Sequence, residues 1–578
     1  VTRTESVPRA EQDDIAADGD SARPARRRSW LPGVIAVVAG TILICAHAAL
    51  YGGWLVDDAA ITFDYARNIT NGYGPVFQPG LPPVEGYSNT SWLLLLIVGR
   101  WTGLFDHGSI FGVPDYVVYA KGLAVVFCAG TLVAFHVIAT RLVRRPWLVT
   151  LAAGVLLACI PSYVVWCFSG LENSLYAFVV TVIAAVTVRA IKDDGLHGYG
   201  PALATGLLAF VAALTRPDGM VYAAAFPLVA LLLATRSAAR PALRAAAVSI
   251  VAFAVPFGVF LLWRHAEFGR WVSNTAAAKN QRLAPNAQTI NAFNKISDLV
   301  TYVGVVGVLV ALMIVGLVLG RPSRFRHRLV GVLVPFGLAI TAFGVLNGDW
   351  MDQYRFATPV WALGALVVTA CTYQLVSTTG LRTRAIAGAG VVLTLVTSLT
   401  LLKQHETDFR TNPTVPMCLV ATTAGQMINS MADAAGLPDS ATYLGPDMGA
   451  SSLVLRVRAV DLVGLTDTRI AGYREAGDTK GLASYVFGDL KPDIIQAIAW
   501  WRMTGWDPRL TTDYYFLSDT DPSQGGVYIR KSVVHNPTVL ARERAIAAYR
   551  QVLVDRYAQA PHSSCGSPLA RGETLGNS

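Results

Sequence analysis

Long apolar runs separated by short polar ones dominate the chain, near residues 31–53, 116–140, 147–168, 175–191, 201–215, 219–235, 245–263, 298–320, 329–346, 357–378 and 385–402. A helix needs about 20 apolar residues to cross a hydrocarbon layer of ~30 Å. The pattern therefore predicts an α-helical polytopic membrane protein with eleven spans. A twelfth apolar segment, 91–105, is short and interrupted by Arg100. It reads as a helix lying in the outer interface.

Charge decides between eleven spans and twelve. With 91–105 left out of the count, RLVRR (141–145), RAIKDD (189–194), RSAARPALR (236–244), RPSRFRHR (321–328) and LRTR (381–384) all fall on the side of the Arg-rich N-terminal tail. That side is then cytoplasmic, because Lys and Arg accumulate in cytoplasmic loops. The N-terminus is expected inside, and everything from about 403 onward outside. Residues 1–29 are polar and without apolar periodicity, as in a disordered tail. Residues 30–402 form the membrane domain. Residues 403–558 mix turns, short β-like runs (452–463 and 525–534) and helical stretches (427–436 and 539–557), as in a small extracytoplasmic α/β domain. The Ser-, Gly- and Pro-rich residues 559–578 read as a second disordered tail.

Composition agrees. The chain is 53% hydrophobic and 15% charged, against about 25% charged in soluble domains. The net charge of +9 is accounted for by Arg in the cytoplasmic loops, so nucleic acid is not expected as a partner. Of the 47 basic residues only eight are Lys, a bias expected of a high-GC bacterium. The seven cysteines form no CxxC pair and no two His have metal-ligand spacing, which leaves no zinc or redox motif. Cys418 and Cys565 bracket the distal region and can pair if it faces an oxidising compartment.

The chemistry gathers in the loops opposite the Arg-rich ones: 56–91, SGLENS (169–174), TRPDG (215–219), FGRWVSNTAAAKN (268–280) and NGDWMDQYRF (347–356). Adjacent carboxylates Asp57 and Asp58 open the first, directly beyond the first span. Like charges so close repel, so each needs water, a cap or a cation. Asp57, Asp58 and Glu172 are candidate bases; Asp349 and Glu172 are supporting acids, able to steady the site or hold a divalent cation. Arg216, Lys279 and Arg355, with Arg67 and Lys121, are the nearby cations. Arg offers a fork and Lys a point charge to phosphate, and a carboxylate beside them can deprotonate a hydroxyl or bind a metal. Plainer structural readings stand beside these. One of the two acids caps the helix AITFDYARNI, Glu172 caps the next span, Arg216 closes a turn before Pro217, and Asp349 and Asp352 pair with Arg355. The loop aromatics Tyr65, Tyr73, Phe77, Tyr87 and Trp92 read as packing. Trp500, Trp501 and Trp506 form either a carbohydrate-stacking surface or ordinary packing.

With no Walker A loop and no well-placed GxGxxG, this inventory fits a donor that carries its own activating phosphate on a lipid. VDDAAITFDYARNITNGYGPVFQPGLPPVEGYSNTSW, followed in order by SGLENS, TRPDG, SNTAAAK, GDWMDQYRF and VDLVGLTDTRIA (460–471), resembles membrane glycosyltransferases of the GT-C fold. The likeness runs from about 30 to 535 and is to actinobacterial members such as the terminal arabinofuranosyltransferase family. It implies an inverting transferase that uses a polyprenyl-phosphate sugar, arabinofuranose or mannose being the leading choices. The acceptor would be an envelope glycan at the outer face of a bacterial plasma membrane. An acid of the first external loop (56–91), Asp58 ahead of Asp57, would be the base, and Lys279, Arg216 and Arg355 would meet the donor phosphate. A lipid or glycan transporter and a non-catalytic envelope-assembly scaffold are the rival classes. The first predicts midplane charges, of which the spans have few.

Overall fold

The computed structural model of the chain describes residues 30–193, 195–279, 285–498, 508–518, 525–567 and 569–576. The expected N-terminal tail and Trp500, Trp501 and Trp506 lie outside the described residues.

Helices fill the first two thirds. In order they are α1 (Leu31–Ala48), α2 (Asp57–Thr70), α3 (Thr90–Trp101), α4 (Asp115–Leu142), α5 (Pro146–Ala158), α6 (Pro161–Cys167), α7 (Asn173–Lys192) and α8 (Tyr199–Thr215). There follow α9 (Ala225–Leu232), α10 (Ala239–Phe268), α11 (Asn274–Ala278), α12 (Pro285–Val303), α13 (Val305–Leu319), α14 (Arg324–Val345), α15 (Thr358–Thr378) and α16 (Leu381–Thr411). Among the described residues, seven helices are long and apolar enough to cross a membrane. Two sharply bent pairs, α5 with α6 and α12 with α13, raise the number to as many as nine.

Eleven spans were expected. The two that fall short, near 201–215 and 219–235, are the shorter apolar helices Tyr199–Thr215 and Pro217–Leu232. The 17 residues of α8 rise only about 26 Å at 1.5 Å per residue, and Pro217 after Arg216 stops the helix there. The 98° bend between α12 and α13 falls at Gly304, whose φ of +91° an L side chain rarely adopts.

Small residues let the helices close up. A Cβ on Gly154 of α5 would lie 3.0 Å from Gly40 Cα of α1, the backbone-to-backbone approach that small residues permit between membrane helices. Exposed apolar side chains such as Val251, Val255 and Val259 on α10, and Val392, Val396 and Leu399 on α16, form the surfaces suited to lipid. On α3 the exposed residues Leu94, Val98 and Trp101 share one helix face. Arg100 turns inward, donates to Thr70 Oγ1 at 2.7 Å and pairs with Asp106. It tethers α3 to α2, and 12 residues are too few to span.

The ends of the bundle sort by chemistry. Arg141 pairs with Asp193 at 3.1 Å, and Arg328 donates to the Arg141 carbonyl at 2.7 Å. Three Arg-rich loops therefore meet at one end, and the motif loops meet at the other.

β1 (Ser109–Ile110) and β2 (Val113–Pro114) form a small antiparallel hairpin. The distal region carries β3 (Thr442–Gly445), β4 (Arg458–Asp461), β5 (Ile494–Ile498), β6 (Tyr514–Phe516) and β7 (Gly525–Arg530) in the order β4-β3-β5-β7-β6. β3 is parallel to β4 and β5, and β7 is antiparallel to β5 and β6. Leu444, Val460, Ile495 and Tyr528 are buried in its core. The expected strand 452–463 is only half realised: Ala450–Val454 is helical and the strand is Arg458–Asp461. The last membrane helix continues through Thr411, past the expected limit at 402.

The C-terminal segment departs from expectation. Cys418 and Cys565 form a disulfide, and the residues around it are packed rather than a disordered tail. Gly53 donates its N–H to the His562 carbonyl at 2.7 Å, Arg67 Nη2 donates to the Leu569 carbonyl at 2.9 Å, and Leu569 is buried. Composition pointed to disorder. A crosslink closing 147 residues of chain restricts the unfolded ensemble and offsets the entropy of ordering.

Candidate active site

α2 begins immediately after the first span with Val56 as its N-cap residue, and neither Asp57 nor Asp58 caps it through a side chain. The two acids occupy its first turn, where the exposed N–H dipoles favour negative charge. Their surroundings differ sharply.

Asp57 faces the distal domain. Its Oδ1 accepts from Ala450 N–H at 2.8 Å and its Oδ2 from Gly449 N–H at 3.2 Å. Its own N–H donates to the Val415 carbonyl at 3.0 Å. The approach is so close that a Cβ on Gly449 would lie 2.4 Å from the Asp57 carboxylate, which is why a glycine stands there. Burial, with repulsion from Asp447 and Asp58, pushes the Asp57 carboxyl up against the pull of those two N–H donors. Both oxygens are engaged and the residue is 5% exposed, so no substrate hydroxyl reaches it. The expected cap thus exists, but it caps the turn before Ala450–Val454 instead of α2.

Asp58 faces the loop ends. Its side chain is 20% exposed, and Oδ2 lies 3.6 Å from Arg355 Nη1. Arg355, at the head of the helix carrying α15, also pairs with Asp349. Its carbonyl accepts from Asn173 at 2.9 Å. Asp349 therefore meets the structural expectation of pairing with Arg355; Asp352 makes no such pair among the described residues.

Glu172 and Arg216 form a second cluster. Glu172 stands at the N-cap position of α7 but makes no side-chain cap bond. Instead its Oε2 accepts from Asn89 at 2.8 Å and its Oε1 from Arg216 at 3.0 Å. Arg216 Nε reaches Asp218 at 3.0 Å, and Asp218 also accepts from Tyr176 OH at 3.0 Å. Phe356 joins the clusters: the Arg216 and Arg355 guanidinium carbons lie 4.4 Å and 4.9 Å from its ring centroid. Such stacking fixes both forks.

The three expected phosphate-binding cations are therefore unequal. Arg216 and Arg355 are buried, and each is shared by two carboxylates. Lys279, just beyond α11, makes no ion pair among the described residues and is exposed. Surrounding protein, then the Arg355 and Arg216 guanidiniums, hold its ammonium below the usual lysine value, with Asp58 and Asp349 pulling the other way. α11 is placed by Asn274, whose Nδ2 donates to the Gly464 and Leu465 carbonyls at 2.8 Å and 2.9 Å. The 460–471 segment thereby supports the Lys279 loop.

Arg67 and Lys121 serve elsewhere. Arg67 pairs with Asp106 at 2.6 Å, and Lys121 donates to the Gly52 carbonyl at 2.5 Å. Tyr65, Phe77, Tyr87 and Trp92 are buried packing, whereas Tyr73 is exposed. Asp447, which follows β3, went unnoticed in the sequence. Its carboxyl is pushed up by burial and by Asp58, and Arg550 opposes the shift. Nothing local to GPDMGASS marks it as a neighbour of a loop nearly 400 positions earlier.

A divalent cation does not fit side chains arranged in this way. Among the described residues no three His, Cys, Asp or Glu groups are placed to hold a metal ion, and Asp58, Asp349 and Glu172 are turned onto guanidinium groups.

No family model matches the chain. It is 28% identical over 257 residues to the terminal beta-(1->2)-arabinofuranosyltransferase of Mycobacterium tuberculosis, a match covering 41% of this chain and 38% of that protein. Among solved structures it is similar to ArnT from Cupriavidus metallidurans bound to undecaprenyl phosphate, at TM-score 0.49 and 14% identity, covering 88% of this chain and 98% of that one. It is similar also to the archaeal oligosaccharyltransferase AglB from Archaeoglobus fulgidus in complex with an inhibitory peptide and a dolichol-phosphate, at TM-score 0.48 and 10% identity, covering 89% and 77%. Over about two fifths of its length, then, the chain is similar in sequence to an arabinofuranosyltransferase.

Proposed function

We propose that the chain is an inverting glycosyltransferase that moves a sugar from a polyprenyl-phosphate donor to an envelope glycan at the outer face of a plasma membrane. The observation that carries this reading is the division of labour at the first-loop acids: Asp57 is sealed under the distal domain, and Asp58 stays open beside Arg355. Asp58 takes the proton of the acceptor hydroxyl as that oxygen bonds to the anomeric carbon. The bond from that carbon to the phosphate oxygen breaks, and polyprenyl phosphate leaves. Arg355, steadied by Asp349 and Phe356, keeps the Asp58 carboxylate aimed. Lys279, unpaired among the described residues, meets the charge that grows on the departing phosphate. Arg216 and Glu172 hold the floor of the site. The sequence relative's arabinofuranosyl chemistry favours arabinofuranose over mannose as the sugar moved.

In this reading the Arg-rich end is cytoplasmic, and the distal domain, with its disulfide, faces an oxidising exterior. A reporter fused after Asn412 should be active only outside the membrane; activity confined to the cytoplasm would invert the arrangement and dissolve the site.

Lys279→Ala should raise the KM for the lipid donor about tenfold while leaving the melting temperature unchanged, because an exposed, unpaired cation contributes to the ligand more than to the fold. The assay is donor-lipid turnover by the purified chain in nanodiscs. Unchanged donor kinetics would move the phosphate away from Lys279.

A further inference from the structure

Beside the Asp58–Arg355–Asp349 relay lies a cavity of about 500 Å³ that the proton transfer does not use. Its volume falls in the ~300–1,000 Å³ range of small-molecule sites. The ends of α12, α14 and α16 and the 348–356 loop enclose it. Asp349 and Phe356 belong to both places, and only Arg355 stands between them and the candidate base.

The lining specifies the ligand. Asp298, Asp349, Asp352 and Asp408 face it, and the first, third and fourth are exposed and form no ion pair among the described residues. Lys295 brings one positive charge against these four carboxylates. Its ammonium donates to the Leu346 carbonyl at 2.8 Å and to that of Phe343, whose ring it also covers at 4.4 Å. The cavity is therefore anionic and repels a lipid phosphate. Its carboxylates are spread around the wall and do not converge as metal ligands. Tyr354 adds a partly exposed aromatic ring, on which the C–H side of a sugar ring can lie while its hydroxyls donate to carboxylates.

We propose that this cavity is a subsite for a neutral sugar ring of the acceptor glycan, set so that the ring's neighbour presents its hydroxyl to Asp58. The proposal rests on the transferase reading. The shared chemistry, an uncharged sugar ring, is also carried by the donor, and the experiment separates the two.

Full-length protein in nanodiscs is titrated with an arabinofuranosyl trisaccharide and with a mannosyl trisaccharide, without lipid donor, and binding is read by saturation-transfer NMR. At least one probe should bind. Its affinity should fall about fivefold or more in Tyr354→Ala and in the double variant Asp352→Asn/Asp408→Asn, whose exposed, isosteric changes leave the fold intact. Undecaprenyl phosphate, used as the lipid-phosphate probe, should bind the variants as it binds wild type. In turnover, both variants should raise the acceptor KM and leave the donor KM unchanged. Failure of both probes to bind, or equal binding by the variants, overturns the subsite. A rise in donor KM instead assigns the ring to the donor and overturns the acceptor assignment. Probe binding that depends on these residues in a protein without transfer sustains the subsite and sinks the transferase reading.

Discussion

Asp58→Asn should lower transfer by ~10²-fold or more, the lower range for removing a general base, in a protein that melts where wild type does. Asp58 is 20% exposed and holds one long ion pair, so its loss unsettles little else. Asp57 should behave in the opposite way. Asp57→Ala leaves the buried N–H groups of Gly449 and Ala450 without acceptors, at about 1–3 kcal/mol each. It should loosen the distal domain and reduce activity only in proportion to the folded fraction. Thermal unfolding and donor-lipid turnover on the two purified variants decide the matter. A stable Asp57 variant without activity, beside an active Asp58 variant, would exchange their roles.

Arg355→Gln should be the most damaging change at the site. It strips one buried guanidinium from two carboxylates, Asp58 and Asp349, and breaking a buried pair by removing one partner costs about 3–5 kcal/mol. Turnover should fall by ~10²-fold or more even in the fraction that folds, because Asp58 then loses the guanidinium that positions it. Arg355→Lys should restore stability better than activity, since a point charge cannot serve both carboxylates as the fork does. The pH profile gives a second readout. The alkaline limb in donor KM should begin below the ordinary lysine range of ~10.4, because the Lys279 ammonium is held down, and that limb should be absent from Lys279→Ala. Wild-type turnover in Arg355→Lys would detach this residue from Asp58.

What could be read from the sequence follows the range of the interactions involved. Hydropathy marks the long helices because a bilayer imposes length and apolarity locally. It cannot distinguish a straight span from one folded over by 98° at Gly304, since composition is the same on both sides of the bend. The polar loops betray the site by their carboxylates and cations, and the structure brings Asp58, Arg355, Asp349, Glu172, Arg216 and Lys279 to one end. Which acid is sealed was illegible, because the donors that occupy Asp57 are 392 and 393 residues away. Asp447 was hidden for the same reason. Arg216 looked like a free phosphate ligand until Glu172 and Asp218 were seen on either side of it. In the distal domain, 427–436 and 539–557 carry helices as their patterns indicate. β3 and β5 are short central strands without alternation, and they escaped notice.

The Arg67 side chain, on the helix that bears Asp58, donates to the carbonyl of Leu569, 502 positions later. The Cys418–Cys565 bond lies only a few residues before that contact. Residues beyond 565 must therefore be made, and the two cysteines oxidised, before the last of the contacts that hold this helix can form. Truncation before Cys565 should therefore lower both thermal stability and turnover, even though it removes none of the candidate site's own side chains.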